Sequence, residues 1–291
     1  MIYNKMDNLL FPDMVVNKPK VVNVSSVPQR SPFRYAGGKT WLIPVIRRWL
    51  RNNKNILIEP FLGGGSVSLS ACMERLADLS IMVELDDEVA SVWKTILSDD
   101  CEWLMEQIRN FVLVKENILE LMERNDKNIK EQALLTIIKN RVYHGGILAS
   151  GAGFMKKGES GKGLGSRWYP DTLCKRIHAI NYYKERFEFH HGDAFEYIRN
   201  YMNDEKYTFF IDPPYTVAGK RLYNHSNVDH EELFKLVSQI KGHYMLTYDN
   251  CDYIKDLSCR YGLKYTTIPM MTTHLVKKEE IIISDTFDWL N

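Results

Sequence analysis

Short apolar runs and longer helical stretches alternate along this chain, and their order predicts an α/β sheet interrupted in its middle. Asn55–Ile58 and Ile81–Val83 are aliphatic runs too short for buried helices, so they predict buried strands. A helix from Ser66 towards Asp78 would join them into a βαβ unit. Trp41–Leu50 sets Leu42, Val45, Ile46 and Trp49 on one face of a short amphipathic helix. Residues 93–142 are charged, keep a helical period and carry no strand signal. Strand signals return at Phe187–His190, Tyr207–Ile211, Tyr244–Thr247, Lys264–Ile268 and Glu280–Ser284. A sheet that stops for about a hundred residues and resumes implies an insertion within one α/β domain. Residues 31–92 and 187–291 form that discontinuous domain, with helices on both faces of its sheet. Residues 93–186 form a mostly helical insertion. Residues 1–30 are polar and broken by Pro12, Pro19 and Pro28, and read as an N-terminal extension. No internal repeat is found.

The chain's 291 residues suit one large domain or a domain with an insertion. Hydrophobic residues at 45% and charged residues at 26% are ordinary for a soluble globular protein. Five scattered cysteines without a C-x-x-C pair suggest neither a disulfide framework nor a zinc site, and no metal is expected. A reducing cytoplasm suits them. No apolar stretch approaches membrane-span length, and Met1–Pro12 lacks a signal-peptide core. Net charge is +1, but residues 141–186 carry nine Lys or Arg against three Asp or Glu, a local +6 that leaves −5 elsewhere. Gly145–Gly165 alone holds eight of the seventeen glycines and three lysines. It predicts a mobile, basic ribbon that can hold phosphate locally.

Asp212-Pro213-Pro214-Tyr215 follows the apolar run Tyr207–Ile211, at the strand edge where open α/β sheets bind ligands. The Asp212 carboxylate and a prolyl carbonyl can accept from an amino group on a flat ring, with Tyr215 lying on the ring face. Glu59, Phe61, Gly63, Gly64 and Gly65 follow the first strand and open a helix, where glycines let a ligand approach backbone N–H groups. Ser68 stands where a dinucleotide fingerprint needs glycine. Gly38-Lys39-Thr40 hints at a P-loop, but Phe33 occupies the position of its first glycine, and no strand precedes it. Tyr35 is then free to cover a purine ring, and Lys39 to reach a carboxylate such as Asp212. Glu84 ends the next strand, where an acid can accept ribose hydroxyls. Asp193 follows a further strand. Four acids at four strand ends suit a ligand with an amino group, hydroxyls and a positive centre, as S-adenosylmethionine has, and would repel the phosphates of NAD or ATP.

The order F-x-G-G-K, then P-F-x-G-x-G, then a long insertion, then D-P-P-Y resembles the Dam-like alpha group of DNA N6-adenine methyltransferases. Supporting blocks are Asn140-Arg141, Ser166-Arg167-Trp168, Leu173–Ile177, Gly219–Tyr223 and Thr247-Tyr248-Asp249, so the likeness runs from about Pro32 to Ser284. Asn140–Gly146 and Met271–His274 depart from the family's usual wording, which leaves the target sequence open. The resemblance implies a Rossmann-like methyltransferase sheet, a DNA-recognition insertion and S-adenosylmethionine as methyl donor. Tyr35, Lys39, Glu84 and Asp212 match cofactor-contacting positions, with Glu59, Phe61, Gly63, Gly65 and Asp193 beside them. Asp212, Pro213, Pro214 and Tyr215 match the catalytic motif, acting on N6 of an adenine flipped out of duplex DNA. Arg141, Lys156, Lys157, Lys162, Arg167, Lys175, Arg176, Lys220 and Arg221 are the expected DNA contacts. A monomer or weak dimer is expected, and a cognate restriction endonuclease is left open as a partner. Two alternatives stay open: a DNA-binding module without catalysis, and amino-methylation of cytosine N4, RNA or a protein amide.

Overall fold

The computed structural model describes residues 22–34, 37–51, 56–215, 227–271 and 277–290. Within them lie the strands β1 (Ile56–Glu59), β2 (Ser80–Glu84), β3 (Phe187–His191), β4 (Tyr207–Ile211), β5 (Tyr244–Asp249), β6 (Tyr265–Met271) and β7 (Lys277–Ser284). They form one sheet in the order β3-β2-β1-β4-β5-β7-β6. The first five are mutually parallel, while β7 runs antiparallel to both β5 and β6. The chain leaves β1 to build one side of the sheet and returns at β4 to build the other. A crevice therefore opens beyond the carboxyl ends of β1 and β4.

Central strands read as unbroken apolar runs because both faces are covered. Successive residues alternate between the two layers, as the period of a strand requires. Leu57, Met82, Phe210 and Met245 point into one core. Ile58, Ile81, Phe209, Ile211 and Leu246 point into the other. The first core takes α1 (Ile43–Trp49) and α2 (Ser66–Met73). The second takes α8 (Ala194–Tyr201), α9 (His230–Val237) and α10 (Asp252–Arg260).

The insertion is helical as expected: α3 (Asp87–Ile96), α4 (Cys101–Asn110), α5 (Lys115–Glu123), α6 (Ile129–Val142) and α7 (Pro170–Tyr182). Asn128 and Glu131 start α6 with a reciprocal capping box. Residue 93, the expected start of the insertion, falls inside α3. Trp93 and Ile96 belong to one continuous core with Leu57 and Met82, and so do Ile108, Ile118, Ile137 and Ile177. The insertion is thus an outgrowth of the first core layer, with no apolar gap between them.

Local boundaries differ for readable reasons. Lys39–Leu42 forms a 3-10 turn before α1, and Pro44 sits in the first turn of that helix, where no N–H is missed. Helix α2 ends at Met73 rather than near Asp78, and Arg75 takes a left-handed φ of 58°. The glycine-rich ribbon is laced to its own base. Met155 N–H donates to Val142 O at 2.9 Å and His144 N–H to Gly153 O at 3.0 Å, with Tyr143 and Phe154 edge to face. Gly158 has a φ of +67°, and a Cβ there would lie 1.9 Å from Gly163 O. Among the described residues, no helix is long and apolar enough to cross a membrane. Most of the N-terminal extension, Tyr35, the Gly219–Tyr223 block with Lys220 and Arg221, and Thr272–His274 lie outside the described residues.

Candidate active site

Glu59 closes β1, and the chain turns through Phe61–Gly65 into α2. The turn needs left-handed backbone at Gly65, φ 61°, and a Cβ there would lie 2.9 Å from the Trp93 ring. Trp93 in turn donates from Nε1 to Gly63 O at 3.0 Å. Glu59 Oε2 accepts the Ser68 N–H at 2.8 Å and, through a short bond, the Ser68 hydroxyl. Ser68 is therefore the turn's link to β1. Burial pushes the Glu59 carboxyl up to about 8.

Glu84 ends β2 and accepts Gly63 N–H on Oε2 at 2.8 Å and Asp86 N–H on Oε1 at 2.9 Å. Burial pushes it up to about 7. Asp193 caps α8 through Oδ1, taking the N–H groups of Phe195 and Glu196. The Phe61 and Phe195 rings meet edge-on at 6.4 Å. Glu59, Phe61, Gly63, Gly65, Glu84, Asp193, Phe195, Lys39, Asp212 and Pro214 all line one cavity of about 330 Å³. That volume is in the range of small-molecule and cofactor sites. Its lining combines carboxylate acceptors, two phenylalanine rings and glycine backbone.

The ledge after β4 is held by an ion pair. Lys39 is 3% exposed, and its Nζ lies 2.9 Å from Asp212 Oδ1 and 3.8 Å from Glu280 Oε2. It also donates to Gly37 O at 3.0 Å. Burial alone would lower this ammonium, but the charges of Asp212 and Glu280 outweigh it and raise the group above its ordinary value. Thr247 Oγ1 donates to the same Asp212 Oδ1 at 2.6 Å. Both contacts fall on Oδ1, and Oδ2 takes part in neither. A carboxylate held through one oxygen keeps acceptor capacity on the other.

Pro213 is buried behind the ledge and Pro214 faces the cavity. Tyr215 differs from the open stacking face expected of it. Its hydroxyl donates to Glu280 Oε2 at 2.9 Å, and its ring stacks on Tyr248 at 5.7 Å. The Lys39 ammonium sits 4.9 Å from the ring centroid.

The expected DNA contacts divide in two. Lys156, Lys157, Lys162 and Lys175 are exposed. Arg141 is not, and this corrects its place: it is 5% exposed and donates to Pro32 O at 2.5 Å and, through a short bond, to Asn140 Oδ1. Arg176 donates to Ser31 O, and Arg167 to Tyr143 O and Glu159. Arg34, which the sequence did not flag, reaches Glu159 at 2.8 Å. Burial pushes Arg141 down to about 9, and Arg176, Arg34 and Arg167 add to the effect. Asn140 joins this cluster to the cavity lining, accepting Arg34 N–H at 2.9 Å and donating to Gly146 O at 2.8 Å. Sequence reasoning also missed Glu280, and it picked out Thr247 only as part of the Thr247-Tyr248-Asp249 block, without its bond to Asp212. It singles out acids that follow parallel strands, whereas Glu280 enters from antiparallel β7, and Thr247 lies inside β5.

A model of the D12 class N6 adenine-specific DNA methyltransferases matches residues 35–269. The DNA N-6-adenine-methyltransferase of Escherichia phage P1 is 26% identical over 231 residues, covering 76% of this chain and 29% of that protein. The DNA adenine methylase of Haemophilus influenzae is 41% identical over 66 residues, covering 22% of this chain and 23% of that protein. The match thus spans less than a third of either relative's length. A solved precorrin-6y C5,15-methyltransferase from Geobacter metallireducens superposes with a TM-score of 0.38 at 12% identity, over 87% of this chain and 91% of that one.

Proposed function

The chain belongs to the D12 class N6 adenine-specific DNA methyltransferases, and from that premise we propose that it transfers a methyl group from S-adenosylmethionine to N6 of adenine in duplex DNA. The observation that carries this reading is Asp212, pinned through Oδ1 by Lys39 and Thr247 in the cavity lining. When bound there, S-adenosylmethionine supplies an electrophilic methyl group on a cationic sulfur. Glu84 would hold its ribose hydroxyls, Asp193 its ring amine, and Phe61 and Phe195 its purine faces.

The adenine amine is a weak nucleophile because its lone pair is delocalised into the ring. Asp212 Oδ2 and a prolyl carbonyl would accept its hydrogens, so that positive charge growing on N6 meets a fixed acceptor. The N6–methyl bond would form as the donor's sulfur–methyl bond breaks, the electron pair would stay with sulfur, and N6 would pass one proton through Asp212 to solvent. Positioning supplies most of the gain. The target lies inside the duplex and must be flipped out, to be seated against Pro214.

The exposed lysines 156, 157, 162 and 175 would grip backbone phosphates. Lys220 and Arg221, next to the active-site ledge in sequence, are proposed for the same surface. The test is transfer of tritiated methyl groups to duplex DNA, followed by hydrolysis and separation of bases. Label in N6-methyladenine is expected, with Asp212→Ala slower by about 10²-fold or more. Label in cytosine, or no transfer to DNA, overturns the reading.

A further inference from the structure

We infer that Glu280 is a positioning residue of the reaction centre, sharing Lys39 with Asp212 and anchoring Tyr215, so that the centre carries one net negative charge facing a cationic methyl donor. The inference rests on the adenine-methylation reading. Glu280 stands on β7 opposite Asp249 of β5, with its carboxylate only 12% exposed. It does not line the cavity and therefore acts through its neighbours.

One neighbour is Lys39, 3.8 Å from Glu280 and 2.9 Å from Asp212. A single buried ammonium between two carboxylates leaves the trio at −1 when both are ionised. Without Glu280, Lys39 and Asp212 would form a neutral pair, with Gly37 O left as the ammonium's other oxygen partner. The other neighbour is Tyr215, whose hydroxyl donates to the same Glu280 oxygen at 2.9 Å. That bond fixes the ring on which Lys39 rests. One carboxylate thereby sets the place of the lysine, the tyrosine and, through the lysine, the acceptor.

The charge has a chemical use. S-adenosylmethionine bears a sulfonium, whereas its demethylated product bears a neutral thioether. A centre at −1 favours the donor over the product, while a neutral centre treats them more alike. A residue that merely packed β7 would not move that ratio.

The experiment measures the dissociation constants of S-adenosylmethionine and S-adenosylhomocysteine by calorimetry, and single-turnover methyl transfer, for wild type, Glu280→Gln and Glu280→Asp. Glu280→Gln keeps an acceptor for Tyr215 and removes the charge. It should narrow the donor-over-product preference by about tenfold, the scale of one partly screened charge interaction, and slow transfer. Glu280→Asp keeps the charge, so it should hold the preference near wild type while slowing transfer through the shortened reach to Tyr215. It also provides the reading if Glu280→Gln fails to fold. An unchanged preference in Glu280→Gln, or a preference lost equally in Glu280→Asp, overturns the inference. Wild type that transfers no methyl group to adenine overturns the functional reading instead, and the two failures are told apart by that control.

Discussion

Glu59 is a carboxyl group buried beneath a ligand pocket, and its protonation ties pH to stability. Its folded value is raised to about 8, with burial the largest cause. A raised carboxyl stabilises the fold fully below its unfolded value and loses that contribution as pH rises through its folded value. Stability of the cofactor-free protein should therefore fall between about pH 4.5 and about pH 8, with a slope of up to about 1.4 kcal/mol per pH unit from this residue. Glu59→Gln keeps an acceptor for Ser68 and should flatten that slope in denaturant titrations at pH 5, 6.5 and 8. An unchanged slope would show that other groups set it. Thr247 makes a second residue-scale case. Thr247→Val keeps the shape of β5 and removes the 2.6 Å bond to Asp212. Bonds to charged groups contribute about 1.5–3 kcal/mol, so transfer should slow by about tenfold or more while cofactor affinity stays close to wild type. Equal rates would mean that Lys39 alone fixes Asp212.

At the scale of elements, the strands and the βα turn were legible because each obeys a local rule. β1, β2 and β4 are apolar runs, and the turn after β1 advertises itself by Gly63 to Gly65. Asp212's anchoring was half legible: Lys39 was expected to reach an active-site acid, and it does. What was not legible depends on tertiary partners. Arg141 reads as a surface cation until Pro32 and Asn140 are seen to enclose it. Glu280 reads as a strand residue until the antiparallel pairing carries it to Lys39. The glycine-rich ribbon reads as a loose loop, yet it is bonded back to Val142 and His144. Its outward face still carries Lys156, Lys157 and Lys162. Replacing all three by Ala should weaken binding to duplex DNA and lower the log–log salt slope by roughly 0.9 for each phosphate no longer neutralised. Cofactor affinity should not change. Unaltered DNA affinity across several salt concentrations would place the DNA elsewhere and leave the ribbon as a structural strap.

At the scale of the whole molecule, the continuity of the first core matters more than the break in the sequence. Met82 and Leu57 from the sheet share one apolar cluster with Ile118 and Ile137 from the insertion. Asn140 and Arg141 of α6 tie the insertion to Pro32 and Arg34, a few residues before Lys39 in the chain. A lobe joined in this way cannot open without exposing core and loosening the pocket, so sheet and insertion should unfold as one cooperative unit. Hydrogen exchange at rising denaturant tests this directly. Peptides covering α6 and β4 should reach the exchange-competent state at the same denaturant concentration. Saturating S-adenosylmethionine should raise both by the same free energy, about 2.7 kcal/mol at a hundred times its dissociation constant. If α6 opened at lower denaturant than β4, and only β4 responded to the cofactor, the insertion would be an independent lobe despite its shared core. The Asn140 link would then be too weak to couple the insertion to the pocket.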